Sequence, residues 1–489
     1  MRKPSEVFDR DHEWSALASF VTDDQPGATL GVVSGRRRQG KTFLLEAACW
    51  VADGFYFGAT EAADAESLRR LAAALTVRLS PPSPFHFADW TEAVNVLLSL
   101  GAERPVPVVI DEFPYLAKAN PELPSIIQQA LRPFGPARTN SRTRLLLCGS
   151  ALTFMGKLLS GSAPLRGRAS LELLVQPLDY RLAADFWGIS DPQLAVRVHS
   201  VVGGTPAYRR EFARNDTPAG PADFDAWVIR TILNPETPLF REGRYLLAEE
   251  PDLRDAGLYH SVLAAVAEGN GTRGGIAAYL ARKSTDIAHP INILEDARLL
   301  VREPDAFRDN RSTYRIAEPL MAFYYAIMRP VWDQLERPGH AGRVWQTSGH
   351  RFASQVLGPH FERICRDWSL HHADHELLGG LPAKVAAGTV HDPSSHANHE
   401  VDVAVIGVGD GRAPLLAIGE AKWNVVMGKR HVDRLGQIRD ILRATGRYEA
   451  SATRLLCFSA AGFTDELREF AAQAGDVQLI SADMLYGRS

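Results

Sequence analysis

Apolar positions along this chain fall into short unbroken runs separated by longer stretches with a helical period. Leu30-Gly31-Val32-Val33, Val106-Pro107-Val108-Val109-Ile110 and Arg144-Leu145-Leu146-Leu147-Cys148 are such runs. Apolar on both faces, they suit parallel strands covered on both sides. Phe43-Leu44-Leu45-Glu46-Ala47-Ala48 takes up helical spacing soon after the first run, and Leu171 to Val175 predicts another short strand. From about 180 to 245 the pattern is helical, broken by Pro218, Pro221, Pro235 and Pro238. Residues 256 to 316 predict three helices, at Tyr259 to Ala267, after Thr272 and from Pro290, then two short strands around a polar turn. Three helices and a hairpin make a winged helix. The last third predicts strands at Val401 to Ile406, Leu415 to Lys422, Leu455 to Phe458 and Val477 to Ile480, with helices around Val432 to Leu442 and Thr464 to Ala474.

Candidate chemistry sits at the ends of these runs. Gly35-Arg36-Arg37-Arg38-Gln39-Gly40-Lys41-Thr42, followed by Phe43, joins the first strand to its helix with G-x4-G-K-T spacing. In such a P-loop, backbone N–H groups turn inward around phosphates. Lys41 reaches the β- and γ-phosphates and Thr42 holds Mg²⁺. Asp111 and Glu112 end the Val106 run. Asp111 is the expected Mg²⁺-managing acid, and Glu112 the residue that orients or deprotonates the attacking water. Ser150 ends the third run; it touches the γ-phosphate or the water, or caps the following helix, and both can hold at once. Arg168, ahead of Arg166, is the candidate arginine finger, for nucleotide in the same or a neighbouring subunit. Arg36, Arg37 and Arg38 are read as contacting phosphates or a neighbouring subunit, and Arg138, Arg142 and Arg144 as a solvated loop.

These residues together resemble the AAA+-like ATPases of archaea and bacteria, relatives of the STAND NTPases and of archaeal origin-binding initiators. Val7-Phe8-Asp9-Arg10-Asp11-His12-Glu13-Trp14-Ser15-Ala16-Leu17 is similar to the family's N-terminal F-x-x-R-x-x-E-x-x-x-L motif, with Val7 in place of the aromatic. The resemblance places that segment, including Arg10, beside the adenine. Gly203-Gly204-Thr205-Pro206-Ala207-Tyr208 resembles the lid motif G-G-x-P-x-Y, which implies that Pro206 approaches the nucleotide. The family often carries two small hydroxyl residues after the third strand; here Ser150 is followed by Ala151.

The C-terminal third offers a second constellation. Glu420 and Lys422 stand two apart on one strand and so share a face. Asp402, on the preceding strand of a hairpin, can meet them. Two carboxylates and a lysine suit Mg²⁺ and an activated water near a phosphodiester, and Glu362, on a helix upstream, is a further candidate ligand. The array resembles the PD-(D/E)XK nuclease superfamily, the fold of many restriction endonucleases, which includes members that bind without cutting. His391, His396 and His399 are read as a polar loop before the Asp402 strand.

Composition narrows the remaining choices. At 489 residues the chain is too long for one core. Its net charge of −4 gives no overall basic field, so nucleic-acid contact must be local. The third helix of the winged helix carries Glu295 and Asp296, which favours a structural role over DNA reading. Four widely spaced cysteines read as buried thiols, and no apolar run reaches membrane-spanning length. The expectation is a cytoplasmic, multidomain α/β protein, with a homo-oligomer allowed. It has a P-loop ATPase core with a parallel sheet (1–180), a helical lid (181–250), a winged helix (251–335) and a restriction-endonuclease-like α/β domain (345–489). Its expected cofactors are ATP and Mg²⁺ and its partner nucleic acid, DNA above all. The expected function is ATP-controlled, Mg²⁺-dependent nuclease action, which by analogy of domain arrangement fits genome defence. The alternative is a nucleotide-dependent switch or scaffold whose C-terminal domain binds DNA or a protein without cleavage.

Overall fold

The computed structural model describes residues 1–248, 256–409 and 411–488. The chain divides into two compact units. The first comprises residues 1–177 together with Thr205–Ala207; the second holds the remaining described residues.

The first unit is built on five strands: β1 (Thr29–Ser34), β2 (Phe55–Gly58), β3 (Val106–Asp111), β4 (Thr143–Gly149) and β5 (Ala169–Leu174). They pair in the order β2-β3-β4-β1-β5, all parallel. Every residue of β3 and β4 is buried. Alternation along the strands explains this. Leu30, Val32, Val108, Ile110, Leu145 and Leu147 enter one core, while Val33, Val109, Leu146 and Cys148 enter another on the opposite face. The second core is closed by Trp14 and Leu17 of the helix Asp11–Thr22 and by Leu44 and Leu45 of the helix Lys41–Val51. The edge strand β2 has only four residues, too short to announce itself as a run.

The loop arginines overturn one expectation. Arg144 is fully buried. Its guanidinium donates to the backbone oxygens of Gly27 and Gln25 at 2.7 Å and of Asp23 at 3.0 Å, and to Thr29 Oγ1 at 3.1 Å. Arg138 donates to Ala28 O at 3.0 Å, and Arg142 to Asp24 at 2.7 Å. These residues are not a solvated loop; they clamp the segment leading into β1. A buried guanidinium is tolerated because its donors find acceptors.

The second unit opens with the helices Tyr180–Trp187, Pro192–Val202, Phe224–Thr231 and Pro238–Ala248. The helices Ala256–Ala267, Arg273–Tyr279 and Ala288–Asp296 follow, then the antiparallel pair β6 (Leu300–Pro304) and β7 (Ser312–Ile316). Thr272 caps the second of these helices by accepting from Gly275 N at 3.0 Å. The C-terminal sheet comprises β8 (Pro382–Asp392), β9 (Ala397–Gly407), β10 (Leu415–Lys422), β11 (Arg454–Ser459) and β12 (Val477–Ser481), ordered β12-β11-β10-β9-β8. The pairs β10–β11 and β11–β12 are parallel, and β8–β9 and β9–β10 antiparallel. Strand β8 was not expected. It turns the predicted polar loop into a hairpin, with His391 on one strand and His399 on the other.

The segments expected as lid, winged helix and C-terminal domain lie together in this second unit. Tyr180 OH donates to Leu485 O at 2.8 Å, and Ala306 N to Ala387 O at 2.8 Å. Phe307, just past β6, is buried in the core of the C-terminal sheet and packs edge-on to Tyr448, its centroid 6.0 Å away. Gly388 makes room for it, since a Cβ there would lie 2.5 Å from the Phe307 ring.

This contact predicts a measurable coupling. Phe307→Ala should destabilise the second unit by about 3–5 kcal/mol, and Gly388→Ala by about 1–3 kcal/mol through overpacking. In a urea-unfolding double-mutant cycle, Gly388→Ala should cost much less once Phe307 is alanine. Strictly additive costs would mean that the ring and the glycine do not share space.

Candidate functional site

Gly40, at φ 88°, stands at the N-terminus of the helix Lys41–Val51, a left-handed turn that glycine adopts freely. A Cβ at Gly35 would come within 2.5 Å of Val175 O. Inside the loop, Gln39 is buried and its Oε1 accepts from Arg36 N at 3.1 Å. Lys41 is buried and donates to Arg36 O at 2.8 Å. Burial lowers its pKa, against the opposing pull of Cys148, Glu112 and Asp111. Phe43 is exposed on the first turn. Arg10 braces the loop from outside. It pairs with Glu13 at 2.8 Å and donates to Gln39 O at 3.2 Å. The N-terminal motif is thus tied to the P-loop itself. Half-buried Pro206 precedes Ala207, whose N–H reaches Arg38 O at 3.4 Å.

Asp111 ends β3 and meets the loop directly. Thr42 Oγ1 donates to Asp111 Oδ2 at 2.6 Å, and Tyr56 OH donates to the same oxygen at 2.9 Å. Burial pushes the Asp111 carboxyl up, but the Cys148 thiol, Thr42, Tyr56 and the Glu112 N–H outweigh it, so its pKa falls below the ordinary range. Glu112 adopts a left-handed backbone at φ 51°, a conformation that costs a non-glycine residue roughly 1 kcal/mol or more. That turn aims its carboxylate at β4, where Ser150 Oγ donates to both oxygens at 3.1 Å. Arg37 Nε donates to Ser150 Oγ at 3.3 Å, and Arg37 Nη2 to Tyr115 OH at 2.9 Å. The cap reading of Ser150 is excluded: the helix Leu152–Leu158 has Ala151 at its N-cap and no side-chain cap.

Arg168 is elsewhere. It lies exposed in the turn before β5, and Ala169 pairs beside Leu30 at the start of β1. The P-loop leaves the other end of β1, about 13 Å away along four residues of strand. Parallel pairing therefore withholds Arg168 from the loop at residues 35–42 of its own chain. The same-subunit half of the expectation fails.

In the second unit Asp402, Glu420 and Lys422 come together. Lys422 Nζ lies 3.1 Å from Glu420 Oε1 and 3.7 Å from Asp402 Oδ2. Asp402 Oδ2 also accepts from Ala421 N at 2.9 Å. Burial raises the Asp402 pKa against the pull of Ala421 N–H and Lys422. Burial lowers that of Lys422, but Asp402 and Glu420 outweigh it and the net shift is upward. Glu420 is buried and carries a second cation, Arg434 Nη1, 3.1 Å from Oε2. Glu362 of the helix Gly358–His371 lines a cavity of about 340 Å³ with Lys422, His350 and Asn424. Among the described residues no three His, Cys, Asp or Glu side chains form a group able to hold a metal ion. Glu362, Asp402 and Glu420 form no such group; Lys422 sits on Glu420 Oε1, and Arg434 lies beside Oε2, which has no hydrogen-bond partner among the described residues. Nor do the hairpin histidines converge.

No protein-family model matches the chain. It is 25% identical over 420 residues to the uncharacterized protein MJECL04 of Methanocaldococcus jannaschii, covering 85% of this chain and 87% of that protein. Among solved structures it is similar to the Walker-type ATPase PABY2304 of Pyrococcus abyssi, at 19% identity and TM-score 0.48, over 66% of this chain and 97% of that one. It is also similar to the ORC2 protein of Aeropyrum pernix, at 15% identity and TM-score 0.42, over 71% and 96%. The ORC1 protein of the same organism, solved with DNA, aligns at 14% identity and TM-score 0.32, over 68% and 95%. Among the described residues no helix is long and apolar enough to cross a membrane.

Sequence reading missed Tyr56, Tyr115 and Arg434. Tyr56 had a signal, since it lies in an aromatic triplet, Phe55-Tyr56-Phe57, that forms β2. The other two are surface-type residues whose partners depend on the fold.

The acidic array predicts a pH effect. Burial first and Asp402 second raise the Glu362 pKa to about 7, against Arg366 and Lys422. An unfolded glutamate titrates near about 4.3. From there upward the unfolded chain loses a proton that the folded chain keeps, so stability falls with rising pH and levels off above about 7. In EDTA, Glu362→Gln should gain on the wild type by roughly 2 kcal/mol between pH 5 and pH 8 in urea unfolding. Parallel pH profiles for the two proteins would move this titration to another group.

Proposed function

We propose that the first unit binds and hydrolyses ATP with Mg²⁺. The observation that carries this reading is the 2.6 Å bond from Thr42 to Asp111, which joins P-loop and acid across the sheet. Thr42 and Asp111 fit the cation: a hydroxyl and a carboxylate kept ionised are hard oxygen donors. When bound, Mg²⁺ neutralises charge between the β- and γ-phosphates. Lys41, inside the Gly35–Gly40 turn, follows the same phosphates. Glu112 takes the proton of the attacking water, and Ser150 holds its carboxylate in place. Arg10 and Gln39 fix the loop, while Phe43 and Pro206 lie on its flanks. Arg37, joined to Ser150, supplies in the same chain the cation that meets charge developing on the γ-phosphate. Arg168 serves a neighbouring copy where the protein assembles.

For the second unit we propose a nucleic-acid site, with DNA as its first candidate, governed by the nucleotide state of the first unit. Asp402, Glu420 and Lys422 in one cluster support Mg²⁺-dependent phosphodiester cleavage, with Asp402 and Glu420 as the ligands and Glu362 beside them. A cation there competes with Lys422 and Arg434 for the same oxygens. The Arg434–Glu420 pair is the observation that favours the second reading, a nucleotide-dependent switch that binds DNA or a protein without cutting.

Kinetics separate the proposed ATPase roles. Arg37→Ala should lower kcat by about 10³-fold with a small change in KM, because its charge partner appears only in the transition state. Glu112→Gln should lower turnover by ~10²–10⁴-fold while ATP binding survives. Lys41→Ala should abolish turnover. Full activity in all three would remove the assignment.

Cleavage of plasmid and linear DNA, with Mg²⁺ and with or without ATP, tests the second unit. Asp402→Ala and Lys422→Ala should each stop cutting and leave ATPase activity intact. Arg434→Ala, which frees Glu420, should raise the apparent Mg²⁺ affinity of cleavage. DNA binding without cleavage by wild type and Arg434→Ala alike would establish the switch.

A further inference from the structure

The second unit contains a cavity of about 350 Å³ to which neither constellation lays claim. It is walled by Ser200 of the helix Pro192–Val202, by residues of β7 including Arg315, and by Gln355, His360 and Arg363. Its volume falls at the small end of organic-ligand sites. Ile316 and Val356 supply apolar wall.

Its polar groups are unusual in what they lack. Arg363 donates Nη2 to His360 Nδ1 at 3.2 Å, and among the described residues it forms no ion pair. Its buried Nε has no hydrogen-bond partner, and neither has the buried Oε1 of Gln355. A guanidinium can only donate, so His360 Nδ1 accepts and its proton sits on Nε2. That proton is donated to His199 Nδ1 at 2.8 Å. Both rings are thereby held neutral, in keeping with burial that lowers His199 to about 3 and His360 in the same direction. The histidines relay hydrogen bonds to Arg363 but no negative charge. Glu303 pairs with Arg315 and Arg366, and Asp367 and Glu303 act on Arg363 only at longer range. Arg363 and Gln355 both line the cavity, and each holds a buried polar atom without a partner, which is costly unless something completes it.

We infer that this cavity binds a small oxyanion-headed molecule bearing a hydroxyl group, the oxyanion on Arg363 and the hydroxyl on Gln355 Oε1. The head is a phosphate or a carboxylate, both of which the planar guanidinium fork accepts. Because its walls come from the helix Pro192–Val202, from β7 and from the helix Gly358–His371, an occupant bridges three segments of the unit and stabilises their packing.

The test is calorimetric titration of the full chain carrying Lys41→Ala, so that the P-loop cation does not contribute. The probes are inorganic phosphate, glycerol 3-phosphate and glycerate. Glycerol 3-phosphate or glycerate should bind at least tenfold tighter than phosphate, and the tighter of the two names the head. Gln355→Ala should remove that margin while leaving phosphate binding. Arg363→Met should abolish all binding, with circular dichroism reporting whether the fold persists. Ala322→Leu fills the cavity without touching either polar group and should also abolish binding. No binding by any probe, or equal affinities in all variants, would overturn the inference.

Discussion

Strand β4 runs between β1 and β3, and the proposed nucleotide site depends on that order. With neighbouring strands about 4.8 Å apart, the P-loop strand and the acid strand stand about 10 Å from each other. No single side chain makes the site; the gap is crossed in two places. Thr42 crosses from the helix after β1 to Asp111, and Ser150 on the intervening tip links Glu112 to Arg37. A triphosphate laid along the loop would span the same gap. Were β1 and β3 adjacent, Ser150 would have no place between the acid and the arginine, and the left-handed turn at Glu112 would aim at nothing.

Much of this was legible because it is local. Strand, glycine loop and helix follow one another in sequence, as do β3 and its two acids, and the i, i+2 placement of Glu420 and Lys422 needs only a strand. The rest depends on lateral order, which spacing does not encode. Arg144 looked like loop charge because its acceptors lie more than a hundred residues upstream. Arg168 looked like a finger because it is near in sequence to the core, but parallel pairing puts it at the wrong end of β5. Strand β8 escaped notice because its sequence is mostly small residues: Ala386, Gly388 and Val390 alternate inward, but only Val390 among these three is strongly apolar and β-branched.

Charge burial follows one rule in the first unit and a different one in the second. Asp111 and Arg144 are buried with their hydrogen-bonding capacity met, by four donors in one case and by backbone oxygens in the other. Such groups are fixed, since moving a partner would leave a desolvated charge. In the second unit, Glu420 has two cations on one carboxylate, burial lifts Glu362 to about 7, and among the described residues Arg363 forms no ion pair. Those groups are not locked to one partner. Their environment lets a cation or an anion from outside change which pairs form, which the closed network around Asp111 does not.

The arrangement within the second unit also connects its helices to the acid and lysine cluster. Gln193, on the helix Pro192–Val202, donates Nε2 to Ala460 O at 2.7 Å. Ala460 follows β11, and its own N–H reaches Lys422 O at 3.3 Å. Lys422 in turn touches both Glu420 and Asp402. Two hydrogen bonds thus run from the helix Pro192–Val202 to the backbone of the residue that balances the acids. The ladder between β10 and β11 holds Lys422 beside Ser459, so a shift of Ala460 cannot be absorbed by that strand end alone. Packed strands and helices respond to such a shift by changing partners and not by stretching. Arg434 joins the same cluster from the helix Lys429–Thr445: it lies 3.1 Å from Glu420 Oε2 and donates to Glu400 O at 2.9 Å, so a change of partner at Glu420 also bears on the strand that carries Asp402.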